Sequence, residues 1–385
     1  MSRLEPDADS GRHEVTSKFD KDLSEPVDIP QAGIDRVIEI LRSGRLFRYG
    51  EFAGGESEVA ALERDFADYM ARDYAVAVNS CGAALFVALK SVGVMPGDEV
   101  LVNAFTLAPV PGAVEHAGAR PLFVECDENC CINLDDLSAK ISAGAKVLLL
   151  SHMRGHIADM EQIQDMCARN NVVLVEDCAH TLGARWNGKL SGSFGHISCF
   201  SLQSFKHINA GEGGIIVTDD ADVAAKAILY SGSYMLYGQN GARPPLEVFD
   251  KYRYQIPNFS MRMQEITAAV ARPQLPLVEK RRAAWAKCYR LIVTLLEDVE
   301  GIRFPQRGDA EDFVPSSLQF SLPTLSGPDI SRFVSICRDD GVDIKWFGAS
   351  EPAGFTSTPE HWRYIRQATN VESTLEMLSR LCDFR

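Results

Sequence analysis

Seven short apolar runs, rich in β-branched residues, recur at 75–78, 100–103, 121–125, 146–151, 172–176, 197–201 and 215–218. Between several of them lie longer segments with helical spacing, at 56–69, 83–91 and 160–170. Runs that are apolar on both faces need cover on both sides, and the amphipathic segments supply it. The pattern therefore predicts an α/β fold: a three-layer αβα large domain around a mainly parallel seven-stranded sheet. A helix is expected from about Pro30, carrying Ile34, Val37, Ile38 and Leu41 and stopped by Gly44. After Pro273, residues 274–296 predict one bridging helix, and 317–322 and 342–346 read as strands of a smaller α+β C-terminal domain. The expected division is a polar N-terminal tail over 1–27, a large domain over 28–272, and the bridging helix with the small domain over 273–385. Leu375, Met377, Leu378 and Leu381 read as a last helical pattern.

Charge narrows the function class. A formal charge of -14 over 385 residues disfavours a surface that tracks phosphates, so no nucleic-acid partner is expected. No apolar stretch approaches the roughly 20 residues that span a bilayer, which points to a cytoplasmic protein with no membrane partner. Among ten cysteines, Cys126, Cys178 and Cys199 lie inside strand-like runs and none has paired metal-ligand spacing. Buried reduced thiols are expected and no metal site, Cys130–Cys131 included, because adjacent strand residues face opposite ways.

In open α/β sheets ligands bind beyond the carboxyl ends of the strands. After the first run comes Asn79-Ser-Cys-Gly-Ala-Ala-Leu85, a small-residue turn opening a helix, whose N–H groups and dipole suit a phosphate. After the fifth comes Asp177-Cys-Ala-His180, and after the sixth Ser201-Leu-Gln-Ser-Phe-Lys206-His207, leading into Gly211-Glu-Gly-Gly214. Singly these read as a tight turn, a helix cap and a loop lysine. In order, each after its own strand, they are a phosphate turn, a strand-end acid and a partly desolvated amine, whose neutral form is a nucleophile.

With Pro96-Gly-Asp-Glu-Val100, Arg262-Met263 and Ala268-Ala269, these motifs resemble the DegT/StrS family of pyridoxal-phosphate-dependent sugar aminotransferases, of fold type I, over roughly 48–275. The resemblance implies pyridoxal 5'-phosphate as cofactor and Lys206 as the catalytic lysine holding it as a Schiff base. It implies Asp177 on the ring nitrogen, which keeps the ring protonated as an electron sink, and His180 on the ring hydroxyl. Gly82, Ala83 and Ser201 would hold the phosphate, and Asn258 or Ser260 would reach the phosphate of a neighbouring subunit, so a homodimer with shared sites is implied. Leu107 stands after Thr106 where the family has an aromatic, leaving ring stacking to an aliphatic side chain or to a residue elsewhere. Arg48 and Tyr49 are either acceptor contacts or subunit packing. Arg154 is either a substrate anion contact or a structural ion pair.

The reaction implied is transfer of an amino group from glutamate or glutamine to a keto sugar, nucleotide sugar or cyclitol in a biosynthetic pathway. Two rivals are weighed. Dehydration or another elimination with the same cofactor goes in that family with histidine in place of the lysine, and here His207 is only adjacent. A cofactor-binding regulatory protein without turnover is the other, since residues 345–350 and 354–357 lack the basic-aromatic segment of sugar-nucleotide members.

Overall fold

The computed structural model describes residues 18–20, 25–50, 56–366 and 370–384. Most of the expected polar tail lies outside them. In chain order the strands are β1 (Tyr74–Val78), β2 (Glu99–Asn103), β3 (Arg120–Val124), β4 (Val147–Ser151), β5 (Val173–Asp177), β6 (Arg185–Trp186), β7 (Lys189–Leu190), β8 (Ile197–Ser201), β9 (Gly214–Thr218), β10 (Glu311–Asp312), β11 (Leu318–Ser321), β12 (Ile344–Trp346) and β13 (Leu381–Phe384).

The large sheet has seven strands in the order β1-β9-β8-β5-β4-β2-β3. Pairs from β3 through β8 are parallel, while β9 runs antiparallel to both β1 and β8. Side chains alternate faces, as the strand period of two requires. Leu149 joins Val102, Ile197 and Ile216 in the core on one side, whereas Leu148 and Leu150 join Leu101 and Leu174 on the other. Helices cover both faces. Those used below are α1 (Gln31–Ser43), α2 (Glu58–Met70) and α3 (Cys81–Ser91).

α1 ends at Gly44, whose φ of 70° is the left-handed conformation glycine tolerates. Gly33 lies against the helix Glu265–Ala271, where a Cβ would come 3.2 Å from the Ala269 carbonyl. The apolar stripe expected on α1 faces outward instead: Ile34, Ile38 and Leu41 are exposed, and Ile40 and Gly33 are buried.

The bridging segment is not one helix. Pro273 and Pro276 lack N–H donors, so residues Arg272–Leu277 form a 3-10 stretch before the helix Val278–Leu296 begins. The last helical pattern also breaks. A helix covers Glu372–Leu378, and Leu381 then belongs to β13, the central strand of an antiparallel sheet ordered β11-β13-β12. Leu381 packs with Phe105 and Phe347 while Cys382 packs with Phe320 and Ile344, so neighbours point to opposite faces. Trp362, Ile365 and Val371 return to the core of the large sheet. No helix among the described residues is long and apolar enough to cross a membrane.

Candidate active site

The carboxyl ends of β2, β4, β5 and β8 form one row. Asp177 closes β5, with Ser151 of β4 as its register partner on one side and Cys199 of β8 on the other. Its carboxylate is buried, and its two oxygens are held from different directions. The Ser151 hydroxyl donates to Oδ2 at 2.8 Å, and the Ala179 amide donates to Oδ1 at 3.1 Å. Burial pushes the carboxyl above the usual carboxylate range, while these two donors and the charge of Lys206 act the other way.

The residue before it has another task. Glu176 points to the opposite face and accepts the amides of Gly192, Phe194 and Gly195 and a hydrogen bond with His152 Nε2 at 3.1 Å. Burial works against its charge, yet these partners outweigh it and hold its pKa below the ordinary value. Glu176 thereby stiffens β5 and the loop that leads into β8. Cys126, Cys178 and Cys199 are buried and unbridged.

The small-residue turn opens α3. Ser80 is the N-cap, accepting the Ala83 amide at 3.1 Å, so that amide is engaged by the cap. Around Gly82 there is room: a Cβ there would meet nothing nearer than Ser80 Oγ at 3.9 Å. β9 begins beside this turn at Gly214, where a Cβ would lie 2.3 Å from the Ser80 carbonyl oxygen. Gly214 is also the register partner of Ser201, the last residue of β8. Ser80, Gly82, Gly214 and Ser201 are thus packed into one corner. The Cys81 sulfur, 4.0 Å from Asp177 Oδ1, joins that corner to the carboxylate.

Lys206 follows β8 in a tight turn closed by its own amide bonding to the Gln203 carbonyl at 2.8 Å. Its Nζ lies 2.9 Å from His180 Nε2, and His180 follows Asp177 by three residues. Asp177, His180 and Lys206 therefore face one space. The neighbouring His207 is buried with its ring 5.3 Å from that of Trp285.

These side chains fit pyridoxal 5'-phosphate. A buried carboxylate is available for the ring nitrogen, an imidazole for the ring hydroxyl, an amine for covalent anchoring, and an uncrowded helix N-terminus with a nearby hydroxyl for the phosphate.

Other expected residues are placed differently. Arg48 is buried inside the chain, donating from Nη1 and Nη2 to Glu63 at 2.7 and 2.9 Å. Burial works against its charge, but Glu63 outweighs it and raises its pKa. Tyr49 is buried beside it, donating to Asn240 Oδ1 at 2.9 Å, and burial pushes its hydroxyl up to about 12. Both expected acceptor contacts are thus used within the fold, because a buried arginine needs a paired anion. Arg154 is also buried, with its guanidinium 3.1 Å from Asp383 and 3.9 Å over the Phe355 ring, the contacts a structural ion pair would make. Leu107 packs, partly buried, against the cluster of Phe105, Phe347 and Leu378. Asn258 and Ser260 stand together on the surface, with the Ser260 amide donating to Asn258 Oδ1 at 2.9 Å.

Sequence reasoning missed Ser151 and the residue that fixes it, Asn103. Asn103 accepts the Ser151 amide at 2.8 Å and donates to its carbonyl at 3.0 Å. The available signal was a polar residue ending each of three adjacent strands.

The profile of the DegT/DnrJ/EryC1/StrS aminotransferase family matches residues 28–352. GDP-perosamine synthase of Caulobacter vibrioides is 35% identical over 252 residues, covering 65% of this chain and 63% of that protein. L-glutamine:2-deoxy-scyllo-inosose aminotransferase of Streptomyces kanamyceticus is 31% identical, covering 78% and 70%. The crystal structure of 3-amino-5-hydroxybenzoic acid synthase superposes with a TM-score of 0.76 at 28% identity, covering 94% of this chain and 92% of that one. The chain belongs to the DegT/DnrJ/EryC1/StrS aminotransferase family and is a pyridoxal-phosphate-dependent aminotransferase of fold type I.

Proposed function

We propose that this enzyme moves an amino group from glutamate or glutamine onto the keto carbon of a sugar, nucleotide sugar or cyclitol, in a cytoplasmic biosynthetic pathway. The observation that carries the reading is the meeting of Lys206 Nζ and His180 Nε2, 2.9 Å apart, beside the buried Asp177. The acceptor class is supported by relatives named for perosamine and for an inosose, and the glutamine donor by the second of these names.

When bound, pyridoxal 5'-phosphate supplies the electron sink that stabilises a carbanion. The rest is done by the chain. Lys206 Nζ would anchor the cofactor, and the same amine would take a proton from the substrate carbon as general base and return one as general acid. Asp177 holds the proton on the ring nitrogen, and His180 orients the ring through its hydroxyl. Gly82 and Ser201 would hold the phosphate, with the helix dipole of α3 behind them, while Ala83 keeps its amide on the Ser80 cap. In this reading Leu107 would be the aliphatic side chain that packs on the ring.

The working unit in this reading is a homodimer with shared sites. Its support is the outward stripe of Ile34, Ile38 and Leu41 on α1, followed along the chain by exposed Leu46 and Phe47. The Arg262 guanidinium lies 5.5 Å from the Phe47 ring and 3.4 Å from Ser260 Oγ, so this apolar patch runs into the surface that carries Asn258 and Ser260.

The test is absorbance of the purified protein with added cofactor, before and after glutamate or glutamine, alongside Lys206→Ala. A visible band that forms in the wild type, bleaches with a donor and is absent in the variant is the expected result. A band that no donor bleaches would move the regulatory alternative ahead.

A further inference from the structure

The end of β5 is clamped by its neighbours more tightly than the fold alone demands. Ser151, itself buried, gives its hydroxyl to Asp177 Oδ2 at 2.8 Å while its amide and carbonyl are both bonded to the Asn103 side chain. Asn103 is in turn tied to the Phe105 carbonyl at 2.7 Å. A relay therefore runs across the ends of β2, β4 and β5, and its last member touches the carboxylate.

We propose that Ser151 is a positioning residue of the reaction, whose hydroxyl fixes the plane of the Asp177 carboxylate and keeps it anionic where it meets the ring nitrogen. The inference rests on the reading of Asp177 as the partner of that nitrogen. Two donors on two different oxygens, Ser151 and the Ala179 amide, stop the carboxylate rotating. They also stabilise its charged form against burial, since a hydrogen bond to an ion favours the ion. The other titratable groups facing Asp177 are Lys206 after β8, His180 after β5, His152 after β4, and the thiols of Cys81, Cys178 and Cys199. Of these Lys206, His180 and His152 can carry a positive charge. None fixes the carboxylate plane by a hydrogen bond as Ser151 does.

Ser151→Ala and Ser151→Thr separate the role from packing. In the apoprotein, the Asp177 carboxyl is titrated by carbon-13 NMR, its signal assigned by its loss in Asp177→Asn. In the holoenzyme, the pH profile of the donor half-reaction is recorded. Ser151→Ala should raise the carboxyl titration by about one unit, move the acid limb of the profile up with it, and slow the half-reaction about tenfold with the donor KM nearly unchanged. Ser151→Thr, which keeps the hydroxyl, should restore both. Ser151→Ala with an unshifted titration and rate, while Asp177→Asn is inactive, overturns this proposal alone. Asp177→Asn with a full half-reaction overturns the reading of Asp177 and this proposal with it.

Discussion

At the scale of single residues, two glycines of the phosphate corner differ in what their missing side chain protects. Gly214 protects the fold: a Cβ there would lie 2.3 Å from the Ser80 carbonyl oxygen and 2.9 Å from the Cys81 amide nitrogen. Gly214→Ala should push the start of α3 away from Ser201, destabilise the apoprotein by about 1–3 kcal/mol in denaturant unfolding, and weaken cofactor binding. Around Gly82 there is open space, the nearest atom to its Cβ position being 3.9 Å away, and in the proposed reading that space takes the phosphate. Gly82→Ala should leave apoprotein stability unchanged within about 0.5 kcal/mol and still weaken cofactor binding, as measured by titration. Equal affinity in both variants would remove this corner from the phosphate site. The placement of Asp177, His180 and Lys206 was legible in the sequence because Asp177 ends a strand and the other two follow one, where chain direction alone sets which end of the sheet they reach. Arg48 and Arg154 were not, because a sequence reports a charge but not its partner. Glu63 lies on α2 and Asp383 on the last strand, and only the packed fold brings them to their arginines.

At the scale of elements, the strands of the large sheet were legible to within about a residue because burial on both faces leaves an unbroken apolar run. Helix faces were harder. The α1 spacing identified the helix, but periodicity does not say what the stripe packs on. The stripe faces away from the chain's own core, and in the proposed homodimer it is the interface element, as large contiguous apolar patches usually signal association. Ile38→Asp, at an exposed position of that stripe, should leave the secondary structure of the subunit intact and convert a dimer to a monomer in sedimentation. If the sites are shared through Asn258 or Ser260, cofactor affinity should fall with dissociation. A dimer that survives Ile38→Asp would locate the interface elsewhere.

At the scale of the whole molecule, the loop after β4 joins the row of strand ends to the three-stranded sheet. Arg154 adopts a left-handed backbone, φ 57°, and its guanidinium reaches Asp383 on β13, while His156 Nε2 bonds Gln319 Oε1 on β11 at 2.9 Å. Burial lowers the pKa of Arg154 and Asp383 opposes it, so the arginine's charge depends on Asp383. Removing Asp383 leaves the buried guanidinium without an anion, a loss of about 3–5 kcal/mol, whereas replacing both with apolar residues of similar size is often nearly neutral. Removing Arg154 costs less, since the Gln319 amide still donates to Asp383. Asp383→Ala should lower stability in denaturant unfolding by the larger amount and Arg154→Ala by less, and the double variant Arg154→Met with Asp383→Leu should recover most of it. The double variant also decides what Arg154 is for. A structural pair predicts a donor KM within about threefold of wild type, since the fold that holds Lys206 and Asp177 is restored. An arginine that grips the donor carboxylate predicts a stable enzyme whose donor KM has risen by about a hundredfold, the loss of a charged hydrogen-bond pair. The buried contact with Asp383 and the Phe355 ring over the guanidinium favour the first outcome, because both would have to open before a substrate carboxylate could enter.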